Sequence, residues 1–419
     1  MHLLALLAVL AVVQAPRLGG AVARLAAPVF PEQRRYVDFE LGYYPAAQTI
    51  RHDPAQLYQG VSYDPSTGHL EVESPARFVN LPLVAWLFAP FTLLPVPAAG
   101  TLLLLLNGLI ALACLFLLQR RAVGASPLQR WAITAAFATS GPLLNALDLG
   151  QSTPLILLWL LLAERSLARQ HDARAGVWLG LACLVKIPLL LLVPYLALRR
   201  RWRVVGGAAA LLLLASGVSV LCYGWPLHVT FFNVVIRGNF GTVIAAHNSQ
   251  SVGATVARLM TRHSLLSWQP IELSGAARLM EQLVVVGLLG LCGWTLTARG
   301  GVHYQRMLLE LSMVVCVGLL VVPVSWVHYG TWLLPVAVVV GAATARPELQ
   351  ATQRRNTALL ILAVLLINAP VLPFSVIRSF ADAWWFRLAM SRQTFGTGLL
   401  FALCVWRVRH LGNSRGGCS

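Results

Sequence analysis

The feature that most constrains this chain is the run from residue 98 to residue 118, which carries no charged side chain and is long enough to cross a bilayer as a helix. Comparable runs lie at 128–146, 152–164, 205–223, 281–298, 307–323, 331–345, 356–372 and 394–406. With 58% hydrophobic and 11% charged residues, too few charges remain to cover a soluble globule. The chain therefore reads as an all-α polytopic membrane protein, a single membrane domain over residues 1–419. A first membrane helix is expected within residues 3–27. Residues 81–96, broken by Pro82, Pro90 and Pro95, suit an interfacial or re-entrant segment better than a straight span.

The net charge of +17 could point to nucleic acid, but the arginines stand in short clusters between the apolar runs. They are Arg120, Arg121 and Arg130; Arg165, Arg169 and Arg174; Arg199, Arg200, Arg201 and Arg203; Arg346, Arg354 and Arg355; and Arg407, Arg409 and Arg415. That is the pattern of cytoplasmic loops under the positive-inside rule, so no nucleic-acid partner is expected. Keeping Arg174 and Arg199 on one side forces residues 175–198 to enter and return as two short helices, broken near Lys186-Ile187-Pro188. Two long loops, 28–80 and 224–275, then fall on the extracytoplasmic side.

The seven cysteines form no CxxC, and the ten histidines form no HExxH. No Gly-rich phosphate loop is present either, so neither a metal nor a cofactor is predicted.

Seven of the fifteen acids lie in the first eighty residues, two of them in Tyr36-Val-Asp38-Phe39-Glu40-Leu-Gly-Tyr43-Tyr44-Pro45. Asp38 and Glu40 read as solvated loop acids or as a general base toward a hydroxyl. The aromatic setting favours the second, since Phe39, Tyr43, Ala46 and Ile50 fall at helical spacing and aromatic faces suit sugar rings. Lys186 is the only lysine in the chain. It either snorkels to an interface or, at a helix break, meets a phosphate. In His247-Asn248-Ser249-Gln250-Ser251, Ser251 or Asn248 can cap a helix, or the run can line a polar cavity with Arg258. His328, between Trp326 and Tyr329, reads equally as a structural histidine and as a ligand to a leaving phosphate.

Taken in order, Asp38-Phe39 with Tyr43-Tyr44, then Gly150-Gln151, then the Lys186-Ile-Pro188 break running into Arg199, then Asn248-Ser-Gln250-Ser251, then Ser325-Trp326-Val-His328-Tyr329, resemble glycosyltransferase family 87 over roughly residues 36 to 340. That resemblance implies a GT-C type bundle of about 11–13 transmembrane helices. It also implies transfer of a hexose, mannose by analogy, from a polyprenyl-phosphate sugar to a lipid or glycan acceptor at the extracytoplasmic face of the cell membrane. By the same resemblance Asp38 and Glu40 are catalytic; Lys186, Arg258 and His328 contact the donor phosphate; and Tyr43, Tyr44, Gln151, Asn248, Gln250 and Trp326 contact substrate. Two residues depart from the expected pattern. Pro45 interrupts the segment after the tyrosines, and Leu149 stands where a polar residue is expected before Gly150-Gln151. The rival reading is a multi-pass transporter or lipid flippase, against which stand the absence of internal repeats and the one-sided polar residues.

Cysteines introduced singly into a cysteine-free background test the topology. Positions beside Asp38 and in 224–275 should react with an impermeant reagent from outside, and the C-terminus only after the cytoplasmic side is opened. The reverse pattern inverts the arrangement.

Overall fold

The computed structural model describes residues 36–60, 62–63, 70–71, 78–122, 125–298, 303–344 and 350–413. The helix expected within residues 3–27, parts of the first loop, Arg346 and Arg415 lie outside them. Helices dominate. The described strands are two-residue pairs, Ser62–Tyr63 with Leu70–Glu71 and Thr242–Val243 with Ile271–Glu272.

Among the described residues five helices are long and apolar enough to cross a membrane: Val96–Arg121, Trp202–Arg237, Gly275–Leu296, Tyr304–Val321 and Val327–Thr344. Each coincides with an expected span. The run 128–146 differs, forming two helices, Pro127–Ala138 and Gly141–Leu149. The break falls at Thr139 and Ser140, just before Pro142, which has no N–H to donate to the preceding turn, and there Gly141 passes against the carbonyls of Asn368 and Ala369, too close to admit a side chain. The loop expected from residue 224 also starts later. Gly224, at φ 77° and ψ 157°, is not helical and separates two helices within Trp202–Phe231, and after it helical structure resumes and continues to Arg237.

The chain divides into two compact units, one of Ala15–Cys114 and Leu144–Phe240, the other of Met1–Gln14, Leu115–Leu143 and Gly241–Ser419. In the first, a π-helical turn, Phe39–Tyr43, leads directly into the helix Tyr44–His52. Pro45 does not interrupt that helix, because it sits in the first turn, where no N–H is required. Phe39, Tyr43, Ala46 and Ile50 are all buried, as their spacing predicts. Phe39 packs edge-on against Tyr44 and Phe91, and Tyr43 stacks on Phe88 with ring centroids 4.3 Å apart.

The hairpin expected at 175–198 is present. Helix Asp172–Val185 ends at Lys186, whose backbone is extended (φ −134°, ψ 98°), and Ile187–Leu191 and Leu192–Leu198 carry the chain back. Pro188 explains the break, since it has no N–H to donate and disfavours helical geometry in the residue before it. The Asp172–Val185 helix lies against the Trp202–Phe231 helix through small residues. A side chain at Gly176 would meet the Val204 carbonyl, and one at Gly207 would meet that of Ala173. Such backbone approach is how helices gain contact in a bilayer that supplies no hydrophobic drive between them.

Gly176→Leu should therefore overpack this crossing at a cost of about 1–3 kcal/mol, seen as a lower melting temperature of the purified protein in detergent. Gly217→Leu, in open space on the same Trp202–Phe231 helix, is the control and should melt like wild type. Equal melting of both variants would refute the close-packing argument.

Candidate active site

In the first unit the π-turn sets Asp38 at its entrance, half-buried, beside buried Glu40. The Glu40 carboxylate accepts the Tyr36 main-chain N–H at 3.4 Å, a bond that secures the turn. Across from it the chain turns at Gly150 (φ 69°) before the helix Thr153–Ala168. A Cβ on Gly150 would stand 2.7 Å from Phe39 Cβ and 3.1 Å from Tyr36 Cβ, so only glycine brings this turn against the π-turn.

That approach delivers Gln151. Its Nε2 donates to Asp38 Oδ2 at 2.6 Å, its Oε1 accepts from the Tyr43 hydroxyl at 2.9 Å, and its carbonyl accepts from Asn107 Nδ2 at 3.0 Å. Burial pushes the Asp38 carboxyl above the ordinary carboxylate range, while the Gln151 N–H and the charge of Lys186 act in the opposite direction. Tyr44 is occupied otherwise, its hydroxyl donating to the Leu94 carbonyl at 3.0 Å. The structure thus brings Asp38, Tyr43, Gln151 and Lys186 into one electrostatic neighbourhood. Leu149, exceptional in the sequence, does not prevent Gln151 from reaching the acid.

Sequence reasoning missed Asn107. Its signal was a lone amide inside the uncharged run 98–118, now buried at 2% exposure. A polar group at such depth is retained when it has a partner.

The second unit gathers the other motifs. Gln250 N–H donates to the Ser325 carbonyl, Val327 N–H donates to the Asn248 carbonyl at 2.8 Å, and Ser249 and Trp326 pair as an isolated antiparallel bridge. The two polar runs are therefore joined backbone to backbone. Ser251 caps the helix Val252–Met260, accepting from Ala254 N–H at 3.1 Å, and its hydroxyl donates to the Pro323 carbonyl. Asn248 Oδ1 accepts from Trp268 Nε1 at 3.0 Å, and Gln250 Nε2 donates to the carbonyls of His247 and Met390. His328 is buried edge-on against Tyr329.

Arg258 is fully buried beneath this junction. Its Nη1 donates to the carbonyls of Ala246 and Ser249 at 2.9 and 2.6 Å, and Nε and Nη2 donate to Ser391 Oγ. Burial, and the nearby Arg392 and Arg387, lower its pKa to about 9. Arg387 repeats the pattern, with Nη1 donating to the carbonyls of Arg258, Thr261 and His263. These guanidiniums hold irregular backbone in place. His247 is neutral near pH 7, because burial lowers its pKa to about 4, and it packs between Trp268 and Phe374.

Arg258→Lys should lower the melting temperature, since one ammonium cannot replace a planar fork and each carbonyl left unpaired costs about 1–3 kcal/mol. Wild-type melting of the Lys variant would show that the fork holds nothing essential.

The family model for glycosyltransferase family 87 matches residues 78–323, more than half of the chain. A polyprenol-phosphate-mannose-dependent alpha-(1-2)-phosphatidylinositol mannoside mannosyltransferase of Mycolicibacterium smegmatis is 27% identical over 292 residues, 64% of this chain and 62% of the relative. The chain thus spans less than two thirds of that relative's length. A polyprenol-phosphate-mannose-dependent alpha-(1-2)-phosphatidylinositol pentamannoside mannosyltransferase of the same organism is 26% identical over 318 residues, covering 75% of this chain and 72% of the relative. Its namesake in Mycobacterium tuberculosis is 26% identical over 328 residues, with 76% and 69% covered. Among solved structures, ArnT from Cupriavidus metallidurans bound to undecaprenyl phosphate aligns with 95% of this chain and 78% of its own, at a TM-score of 0.37 and 14% identity.

Proposed function

The chain belongs to glycosyltransferase family 87, and from that premise we propose that it transfers mannose from a polyprenyl-phosphate sugar to a hydroxyl of a lipid or glycan acceptor, on the extracytoplasmic side of the cell membrane. The observation that carries this reading is the half-buried Asp38, held by Gln151 within the field of Lys186. The names of the mannosyltransferase relatives supply the donor class.

In this reading Asp38 is the general base. It takes the proton of the acceptor hydroxyl as that oxygen bonds the anomeric carbon, and the bond from that carbon to the phosphate oxygen breaks. The electron pair leaves with the polyprenyl phosphate. Lys186, buried at the helix break, is a compact point charge suited to stabilising that departing phosphate. Glu40 belongs to the frame of the turn through its bond to Tyr36. Tyr43 bears on the base through Gln151, and Tyr44 anchors the helix that follows the π-turn. Asn248, Gln250, Trp326 and His328 form the polar junction of the second unit, which we assign to substrate contact, with Arg258 supporting it from beneath. A lipid-linked donor suits the surroundings, because its tail stays in the bilayer while its head group reaches the site.

The test is transfer by purified protein in nanodiscs. Labelled mannose should move from polyprenyl-phosphate mannose and not from GDP-mannose alone. Asp38→Asn should express normally and lose at least about a hundredfold in turnover, the low end of a general base's contribution, and Lys186→Met should also be strongly impaired. Robust transfer from the nucleotide sugar, or near-normal turnover by Asp38→Asn, would overturn the assignment.

A further inference from the structure

Gln151 has both ends of its side-chain amide engaged within the protein, which leaves little of it to contact a sugar. An ionised carboxylate only accepts hydrogen bonds, and a phenol has one proton to donate. With Asp38 ionised, one amide orientation satisfies both neighbours: oxygen toward Tyr43, nitrogen toward Asp38. The Asn107 side chain pins the main chain of the same residue, and Gly150 supplies the close approach that lets a side chain of this length reach.

We infer that Gln151 is a positioning residue for the base: locked by Tyr43 and Asn107, it engages Asp38 Oδ2 and leaves Oδ1 as the oxygen that receives the acceptor's proton. Among the described residues Oδ1 accepts no hydrogen bond. The inference rests on the proposed function only in giving Asp38 a catalytic task. The bonding that it describes is separable from that task.

A positioning bond to the charged form also keeps the acid ionised. Burial opposes ionisation of Asp38, and the Gln151 N–H opposes burial more strongly than Lys186 does. Among the described residues, the charged and titratable groups around the carboxyl include Lys186 from the helix break, Glu40 on the same turn and the Tyr43 phenol. Removing the amide should raise the Asp38 pKa further, so that the carboxylate forms only at higher pH.

The Asp38 carboxyl band, isolated as the infrared difference between wild type and Asp38→Asn, can be titrated in full-length protein in nanodiscs without any substrate. In Gln151→Met, which keeps the side chain's length without its donor, the midpoint should rise by about one pH unit, as expected of one charge-assisted hydrogen bond. Tyr43→Phe should move it in the same direction by less, because the amide is then released from its orientation. With polyprenyl-phosphate mannose as donor and phosphatidylinositol mannosides as acceptor probe, Gln151→Met should lower kcat near neutral pH with little change in KM, and activity should recover as pH is raised. An unmoved midpoint in Gln151→Met overturns the inference, as does a raised KM on an unshifted pH profile, which would make Gln151 a substrate contact. Where Gln151→Met does not fold, Tyr43→Phe decides by the same midpoint. Full turnover by Asp38→Asn with a shifted midpoint would instead remove the proposed function and leave the positioning intact.

Discussion

A bilayer interior offers no hydrogen bonds, and this chain is arranged around that fact. Helices satisfy the backbone within each segment. Hydroxyls along them turn back onto their own carbonyls, as Thr101 does to Pro97, Ser166 to Leu162 and Thr295 to Leu291. A charge that cannot turn back is paired: Arg306 and Glu310, one turn apart on the Tyr304–Val321 helix, are both buried and meet at 2.9 Å. Several other buried polar side chains, Gln151, Lys186 and Gln250 among them, lie where the backbone departs from regular helix.

Those departures organise the first unit. The π-turn at Phe39, the left-handed Gly150 and the extended Lys186 each release backbone groups from a helix and each place a polar side chain near the others. The cost of a half-buried carboxylate is offset by an amide donor and a cation, while the surrounding aromatic rings pack the turn in place. A base that is desolvated yet held in one orientation is what proton abstraction from a weakly acidic hydroxyl requires.

The second unit solves a related problem with arginine. Residues 244–251 are irregular and largely buried, so their carbonyls need donors; Arg258 supplies those of Ala246 and Ser249, and Arg387 those of Arg258, Thr261 and His263, each from a planar fork. Positive charge is thereby used to hold backbone in shape. This explains why Arg258 looked in the sequence like a phosphate ligand, since the same geometry serves carbonyls and phosphates alike.

What the sequence by itself determined was whatever depends on local composition. The long spans followed from apolar runs with few charges, the break at Lys186 from the proline two residues on, and the burial of Phe39, Tyr43, Ala46 and Ile50 from their spacing, while the cap was narrowed to Ser251 or Asn248 and fell to Ser251. The acid Asp38 was legible because a carboxyl beside so many aromatics is unusual in a chain this poor in acids. Its partner was not. Gln151 lies 113 residues away, and whether an amide at that separation reaches a carboxylate depends on how two turns approach, which here rests on the missing Cβ of Gly150. Pro45 is harmless because it falls in a first helical turn, and residues 128–146 are split just before Pro142, where the bare Gly141 lets the backbone of Asn368 and Ala369 approach. Local preferences act over a few residues and can be read in order along a chain. Hydrogen bonds act over about 3 Å in space, and only the fold brings distant residues that close.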